Sequence, residues 1–533
     1  MSDIVSQKIS LLPINKQSFN PGEKVIFELP ADLGFIKASS DEDSYLAITL
    51  RNNSTLPTRW MLSGGPQSLI KDVAIFSLQT GEMLDFLDNY NQVLWHLNQN
   101  TKVVKTNEQS MMGMMSKPFS LEIDSSGNPQ KRYIYSDGTN EDVYNSVFSP
   151  LQTDGSPAKL DANRTNGNHF MGYTVLVPLK LGIFNSFGEA KLCPLIYLEG
   201  IRIEMTLEQT QPAIVPLGGV LNGIVQAGAG TVSSFSKGIA GIQGDPGFNK
   251  LECSGTTIES SGLVEGMSVV FQSGVSQNVV ATISSMTNFT VGTGVSVVFD
   301  SDVNTGGVSG HFLQTEAQFT ANSSYIIDNI EFHTTQVKPP DSYLKSMPKQ
   351  IDYTFLTYTT FYDSLPQAER RHQVDIDSVA SRAKAIFSVI YDATEEDDVN
   401  RPSYFLGSDP DTLKLNSVQY FINNKLMPLQ SYDPRKNSDR PQTFNELSKA
   451  FSAINMPLKS FGDASGSNLD GYSNTFLIAR ELARGSMSYN LRDSKPQLRL
   501  GFSGTRTNIS RINTYVWSEK TIRASPDGLQ ILQ

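Results

Sequence analysis

The chain has 533 residues, 39% of them hydrophobic, 9% aromatic and 18% charged, with a formal net charge of −11 and a pI near 5.1. That length allows more than one hydrophobic core, and the aromatic content argues against a disordered chain. No lysine or arginine run supplies the concentrated positive face that a phosphate backbone requires, so direct, sequence-specific nucleic-acid binding is not expected.

The opening MSDIVSQKIS lacks the basic start and apolar run of a signal peptide. No stretch approaches the ~18 apolar residues of a membrane span. Cys193 and Cys253 are too few for a zinc site or a disulfide framework, and point to free thiols in a reducing compartment. Forty Gly and 26 Pro, set among short Val, Ile, Phe and Tyr runs, indicate mostly β structure with frequent turns.

In chain order, 24–30 (KVIFELP) and 45–50 (YLAITL) read as strands separated by the acidic turn Asp41–Asp43, and 68–78 as a longer strand ending at Thr80-Gly81. A helix is expected over 83–97, where Leu84, Leu87, Tyr90, Asn91 and Leu94 recur at helical spacing, with Leu97 one turn on. From about 100 to 168 the chain is polar, apart from Met111, Met112, Met114 and Met115, and reads as a long surface loop. Segments 172–184 and 192–208 follow. Within the second, Ile201, Ile203, Met205 and Leu207 alternate strictly with Arg202, Glu204, Thr206 and Glu208, the pattern of a strand half buried in a sandwich.

Composition changes between 211 and 310, which hold 18 of the 40 Gly, no Tyr or Trp, and Lys237 and Lys250 as the sole basic residues. Val-rich runs at 267–271 and 295–299 point to an inserted β-rich tower, about 211–318, rather than a flexible insertion. The first unit resumes at 325–337. A linking helix is expected at 341–347, after Pro339-Pro340. Strands are then expected at 351–361, 384–392, 413–422, 474–480, 497–502 and 513–523, with a helix at 443–454. Asp72-Val73 leading to one helix and Ser417-Val418 leading to another form a faint internal echo. The units are placed at 1–345 and 346–533.

No catalytic, cofactor or metal residue emerges. His96, His169, His311, His333 and His372 have no metal-ligand spacing, and His96 is read as a packed or solvated helix residue. GxSxG, GxxxxGK[ST] and a dinucleotide-binding GxGxxG are absent, and Gly-rich pieces at 227–230 and 291–294 lack a helix start. The acidic run Glu395, Glu396, Asp397, Asp398 lacks the spacing of a calcium loop and reads as solvated surface. The sequons at Asn52, Asn53, Asn163, Asn288, Asn322 and Asn508 read as chance matches.

Four segments in order resemble one family. They are LIKDVAIFSLQTGEMLDFLD (69–88), VLVPLKLGIF (175–184) with CPLIYLEGIRIEMTLE (193–208), LNSVQYFINNKLMP (415–428) and NTYVWSEKTIRASPDGLQIL (513–532). Together they are similar to the double-jelly-roll major capsid proteins of nucleocytoplasmic large DNA viruses, virophages and polinton-like viruses, a resemblance that implies a strand within 172–184, then a Pro-Leu-Ile strand at 194–196 and the alternating strand. The resemblance implies an all-β chain of two consecutive eight-stranded jelly rolls, with short helices in loops and the Gly/Val-rich insertion in the first. It implies a structural protein without enzyme activity, trimerising into pseudo-hexameric capsomers of an icosahedral shell. Expected partners are itself, penton and minor or cement proteins, and an internal membrane, with the virion as location. The competing readings are a minor capsid or spike protein, and a carbohydrate-binding or hydrolytic β-sandwich. The latter wants exposed Trp and Tyr platforms and paired carboxylates, but Trp60, Trp95 and Trp517 are the sole Trp, and Trp95 and Trp517 fall at packed helix or strand positions that favour core.

Overall fold

The computed structural model describes residues 5–37, 44–53, 60–63, 65–100, 173–184, 192–216, 324–393, 413–436, 438–456, 476–483, 487–506, 509–526 and 528–532. It also describes residues 408, 410–411 and 458, and the isolated strands 119–123, 129–133, 147–148, 231–236, 250–254, 268–270, 280–288 and 294–299.

The first unit contains β1 (Val5–Leu11), β2 (Lys24–Leu29), β3 (Tyr45–Asn52), β4 (Ile70–Ser77), β5 (Met83–Leu87), α1 (Tyr90–Asn100), β6 (Tyr173–Pro178), β7 (Ile201–Leu207) and β8 (Tyr325–Lys338). One sheet runs β2-β7-β4-β5. The other runs β1-β8-β3-β6, extended by the short strands Phe35–Lys37 and Leu192–Cys193. Every pair is antiparallel. Alternation places Val25, Phe27, Ile203 and Met205 of the first sheet against Ile48, Leu50, Ile330 and Phe332 of the second. The Phe27 and Phe332 rings, 6.0 Å apart, bridge the gap between the sheets.

After α2 (Asp341–Ser346) come β9 (Ile351–Leu365), β10 (Arg371–Asp375), β11 (Ala383–Asp392), β12 (Leu415–Ile422), β13 (Lys425–Tyr432), α3 (Arg440–Ala453), β14 (Ile478–Glu481), β15 (Gln497–Phe502), β16 (Ser510–Ser525) and β17 (Gly528–Leu532). Their sheets run β10-β15-β12-β13 and β9-β16-β11-β14, with β17 on β16. Adding eight to each strand of the first unit gives the strand order of the second. Both units therefore wind the same Greek-key path, a jelly roll repeated in tandem. The echo at Asp72-Val73 and Ser417-Val418 falls on β4 and β12, which hold the same place in the two units.

Three local readings need correction. Residues 83–97 are not one helix: 83–87 form β5, and α1 starts at Tyr90. The left-handed Gly81 (φ 70°) turns the chain back so that Leu87 pairs with Val73, and left-handed Asn89 (φ 50°) then separates strand from helix. A register shift between Ile75 and Phe76 buries both Leu84 and Asp85, which imitates a helical stripe. Pro194-Leu195-Ile196 is a turn rather than a strand, closed by the hydrogen bond from Tyr197 N–H to the Pro194 carbonyl. The strands expected at 68–78 and 172–184 are shorter, because 66–69 and 182–184 form single 3-10 turns.

Between β7 and β8, the strands Thr231–Ser236, Lys250–Ser254, Ser268–Val270, Val280–Asn288 and Gly294–Phe299 pair only with one another, among the described residues. The polar region 100–168 lies largely outside the described residues, as do the acidic run and the Met cluster.

Candidate functional site

The seam between the two units is the most densely built polar site among the described residues. Its origin is visible in β11. Ile386 and Ile390 belong to the second unit's own core, while Ala385, Phe387, Val389 and Tyr391 belong to the larger core continuous with the first unit. Since neighbouring strand residues point to opposite faces, the sheet β9-β16-β11-β14 is buried on both sides. This is why AIFSVIY reads as an apolar run interrupted only by Ser388, itself buried. The second face is covered partly by the first unit and partly by α3, whose Phe451 meets Phe387 edge to face at 5.2 Å.

Polar groups cross this apolar contact at fixed points. Tyr353 O–H donates to the Ile183 carbonyl (2.8 Å), and Tyr358 O–H to that of Asp88 (3.0 Å). Asn513 donates to Gln92 (3.0 Å), and His96 Nε2 lies 2.7 Å from the Tyr391 hydroxyl. Asp85 accepts from Thr357 (3.0 Å) and faces Lys520 Nζ at 3.6 Å. Burial raises the Asp85 carboxyl above its usual range, with Lys520 and Thr357 pulling the other way. Gly182 is left-handed (φ 65°), and a Cβ there would lie 2.4 Å from Asp85 Oδ2, so this loop can close over the carboxylate only as glycine.

At the rim of the seam, Asp72 on β4 accepts from the Asn89 backbone N–H (3.0 Å), while the Tyr362 hydroxyl of the second unit contacts both Asn89 and Asp88. Burial, aided by Asp88 and opposed by the Asn89 N–H, raises Asp72 from 3.8 to about 6. A carboxyl raised in the folded state contributes full stability below its unfolded value near 3.8 and loses that contribution as pH climbs through about 6. Asp72→Asn is therefore expected to stabilise the protein at pH 7 by on the order of 1 kcal/mol after solvent screening of this half-buried group. Urea unfolding at pH 4 and pH 7 measures this. Identical pH slopes for the variant and the parent would rule it out.

The residues singled out in the sequence do not converge. His96 is buried on α1, and desolvation lowers its pKa to about 3, so the ring is neutral. His333 stacks on Tyr45 and contacts Glu331, and His372 sits between Glu369 and Asp363 in another part of the fold. His169 and His311 lie outside the described residues. Cys193 is a buried free thiol pushed up to about 12, and Cys253 lies on a strand of the inserted sheet. Among the described residues no group of three or more His, Cys, Asp or Glu could hold a metal ion, and no helix is long and apolar enough to cross a membrane. Trp95 and Trp517 are each 1% exposed, which removes them as sugar platforms. Sequence reading missed Asp85 and Lys520. The one local signal is the charge of Asp85 inside the apolar stretch MLDFL; Lys520 sits in the polar stretch WSEKTI and leaves none.

No family model matches the chain, and no curated protein matches it. Over nearly its whole length the chain is similar to solved viral capsid proteins at about a tenth identity. The Faustovirus major capsid protein aligns with 98% of this chain and 90% of its own, at 9% identity and TM-score 0.49. The PBCV-1 virus capsid aligns with 100% and 97%, at 11% and 0.45. The mavirus major capsid protein aligns with 98% and 90%, at 10% and 0.40.

Proposed function

We propose that the chain is a major capsid protein, three copies of which close into a capsomer with six jelly rolls around its rim. The observation that carries this reading is the seam itself. The flank of one roll (β5, α1 and the 182–184 turn) packs against a sheet face of an identically wound roll in the same chain. Each chain therefore retains one unused flank, beside β13, and one unused face, that of β1-β8-β3-β6.

That face is only half buried and carries the Arg51–Asp328 ion pair, Glu331 and His333. The flank exposes Leu429 (83%) and Leu426 (39%). A head-to-tail contact that closes by rotation forms a ring, whereas one that does not close forms a filament. Three chains of two rolls give the pseudo-hexagonal outline that tiles a shell. Penton and cement proteins, an underlying membrane and residence in the virion belong to the same proposal. The domain boundary is proposed within 341–350, and the segment 211–318 as an exterior tower.

Light scattering and negative-stain imaging of the purified protein test this. The expected result is three times the chain mass and hexagon-shaped particles; a stable monomer overturns the proposal. Deleting 215–310 is expected to leave soluble trimers of reduced mass, since among the described residues the strands between 231 and 299 pair with neither roll. Loss of all folded protein on that deletion would place the segment in the core.

A further inference from the structure

Asp85 and Lys520 come from different rolls and meet where water has no access, their side chains 2% and 8% exposed. Nζ stands 3.6 Å from Oδ1. Thr357 Oγ1 donates to the same carboxyl group, 3.0 Å from Oδ1 and 3.2 Å from Oδ2. The Gly182 backbone closes the remaining side, and Phe355 is the cross-strand partner of Lys520.

A buried pair of opposite charges is a costly arrangement unless further hydrogen bonds satisfy it. Here the 3.6 Å contact is long for an ion pair, and burial favours the neutral acid form of Asp85. An uncharged amine is a nucleophile, and a hydrogen-bonded carboxylic acid carbon is its electrophile. Fixing the two in contact replaces the entropy of an encounter. The Thr357 hydroxyl is placed to support the oxygen on which negative charge develops.

We propose that Lys520 and Asp85 condense to an amide that joins the two rolls covalently. The bond from Nζ to the Asp85 carboxyl carbon forms as one carbon–oxygen bond of that group breaks. One proton first passes from Nζ to the Asp85 carboxylate; the resulting amine then gives up one further proton, which leaves with the hydroxyl of the acid as one water molecule. No oxidant, reductant or activated donor is needed. The product is neutral, so two buried charges disappear while the carbonyl still accepts from Thr357. Exclusion of water from the seam then opposes hydrolysis.

Intact-mass measurement of the purified full-length protein tests this directly. The expected mass is lower than that of the sequence by one water, and a digest is expected to yield a branched peptide joining the Asp85 and Lys520 segments. Lys520→Arg keeps the charge but not the reactive amine, and is expected to restore the full mass. Full mass in the parent protein overturns the proposal, as does a water loss that persists in the variant. If the variant does not fold, the branched peptide in the parent decides alone. The readout is covalent mass, so it stands or falls independently of capsomer formation.

Discussion

Replacing Trp517 by alanine is expected to destabilise the protein by about 3–5 kcal/mol, the range for a large aromatic removed from a packed core. The indole is 1% exposed, and its ring centroid lies 5.3 Å from that of Tyr358. It belongs to the apolar cluster that runs from the first roll across the seam to α3. The resulting cavity would open in the wall shared by the two rolls, where neither can collapse without losing register with the other. Urea unfolding is expected to show a lower midpoint with the two rolls still melting together. A variant that loses under 1 kcal/mol would show that the seam is loosely packed.

A second large loss is expected for Lys520→Met. It strands the Asp85 carboxyl in an apolar site with Thr357 as its remaining side-chain donor. Removing one member of a buried charge pair typically costs about 3–5 kcal/mol, far more than an exposed pair is worth. The exposed pair Lys495–Asp377, at 80% and 79% exposure, supplies the contrast: Lys495→Met is expected to change stability by under about 0.5 kcal/mol. Comparable thermal midpoints for the two variants would contradict the account of Asp85.

The strand pattern was legible wherever one face of a strand meets a core and the other meets water. The alternation from Ile201 to Leu207 is a direct print of that geometry: the strand is half buried in the sandwich, as expected, and lies inside its sheet. The run AIFSVIY was legible as a strand but not as a wall between two cores, because periodicity does not reveal what covers each face. Residues 83–97 misled because a bulged strand followed by a helix keeps apolar residues three and four apart throughout. The weakly apolar edge strand β1, exposed along much of its length, left no pattern to read.

The seam was illegible for a different reason. Asp85 and Lys520 lie near opposite ends of the chain, and only the tandem packing of the rolls brings them together. The charge of Asp85 in the apolar stretch MLDFL is the trace the pair leaves locally, and by itself it resembles a solvated edge residue.

The position of β16 has a consequence for the order of events during synthesis. Among the described strands it lies late in the chain, yet it occupies the centre of its sheet, hydrogen-bonded to β9 from Ser510 to Ala524 and to β11 on its other edge. Until it arrives, β9 and β11 have no mutual partner, and the flank of the first roll has no finished surface to meet. A chain cut before β16 therefore presents an incomplete second roll and an open seam.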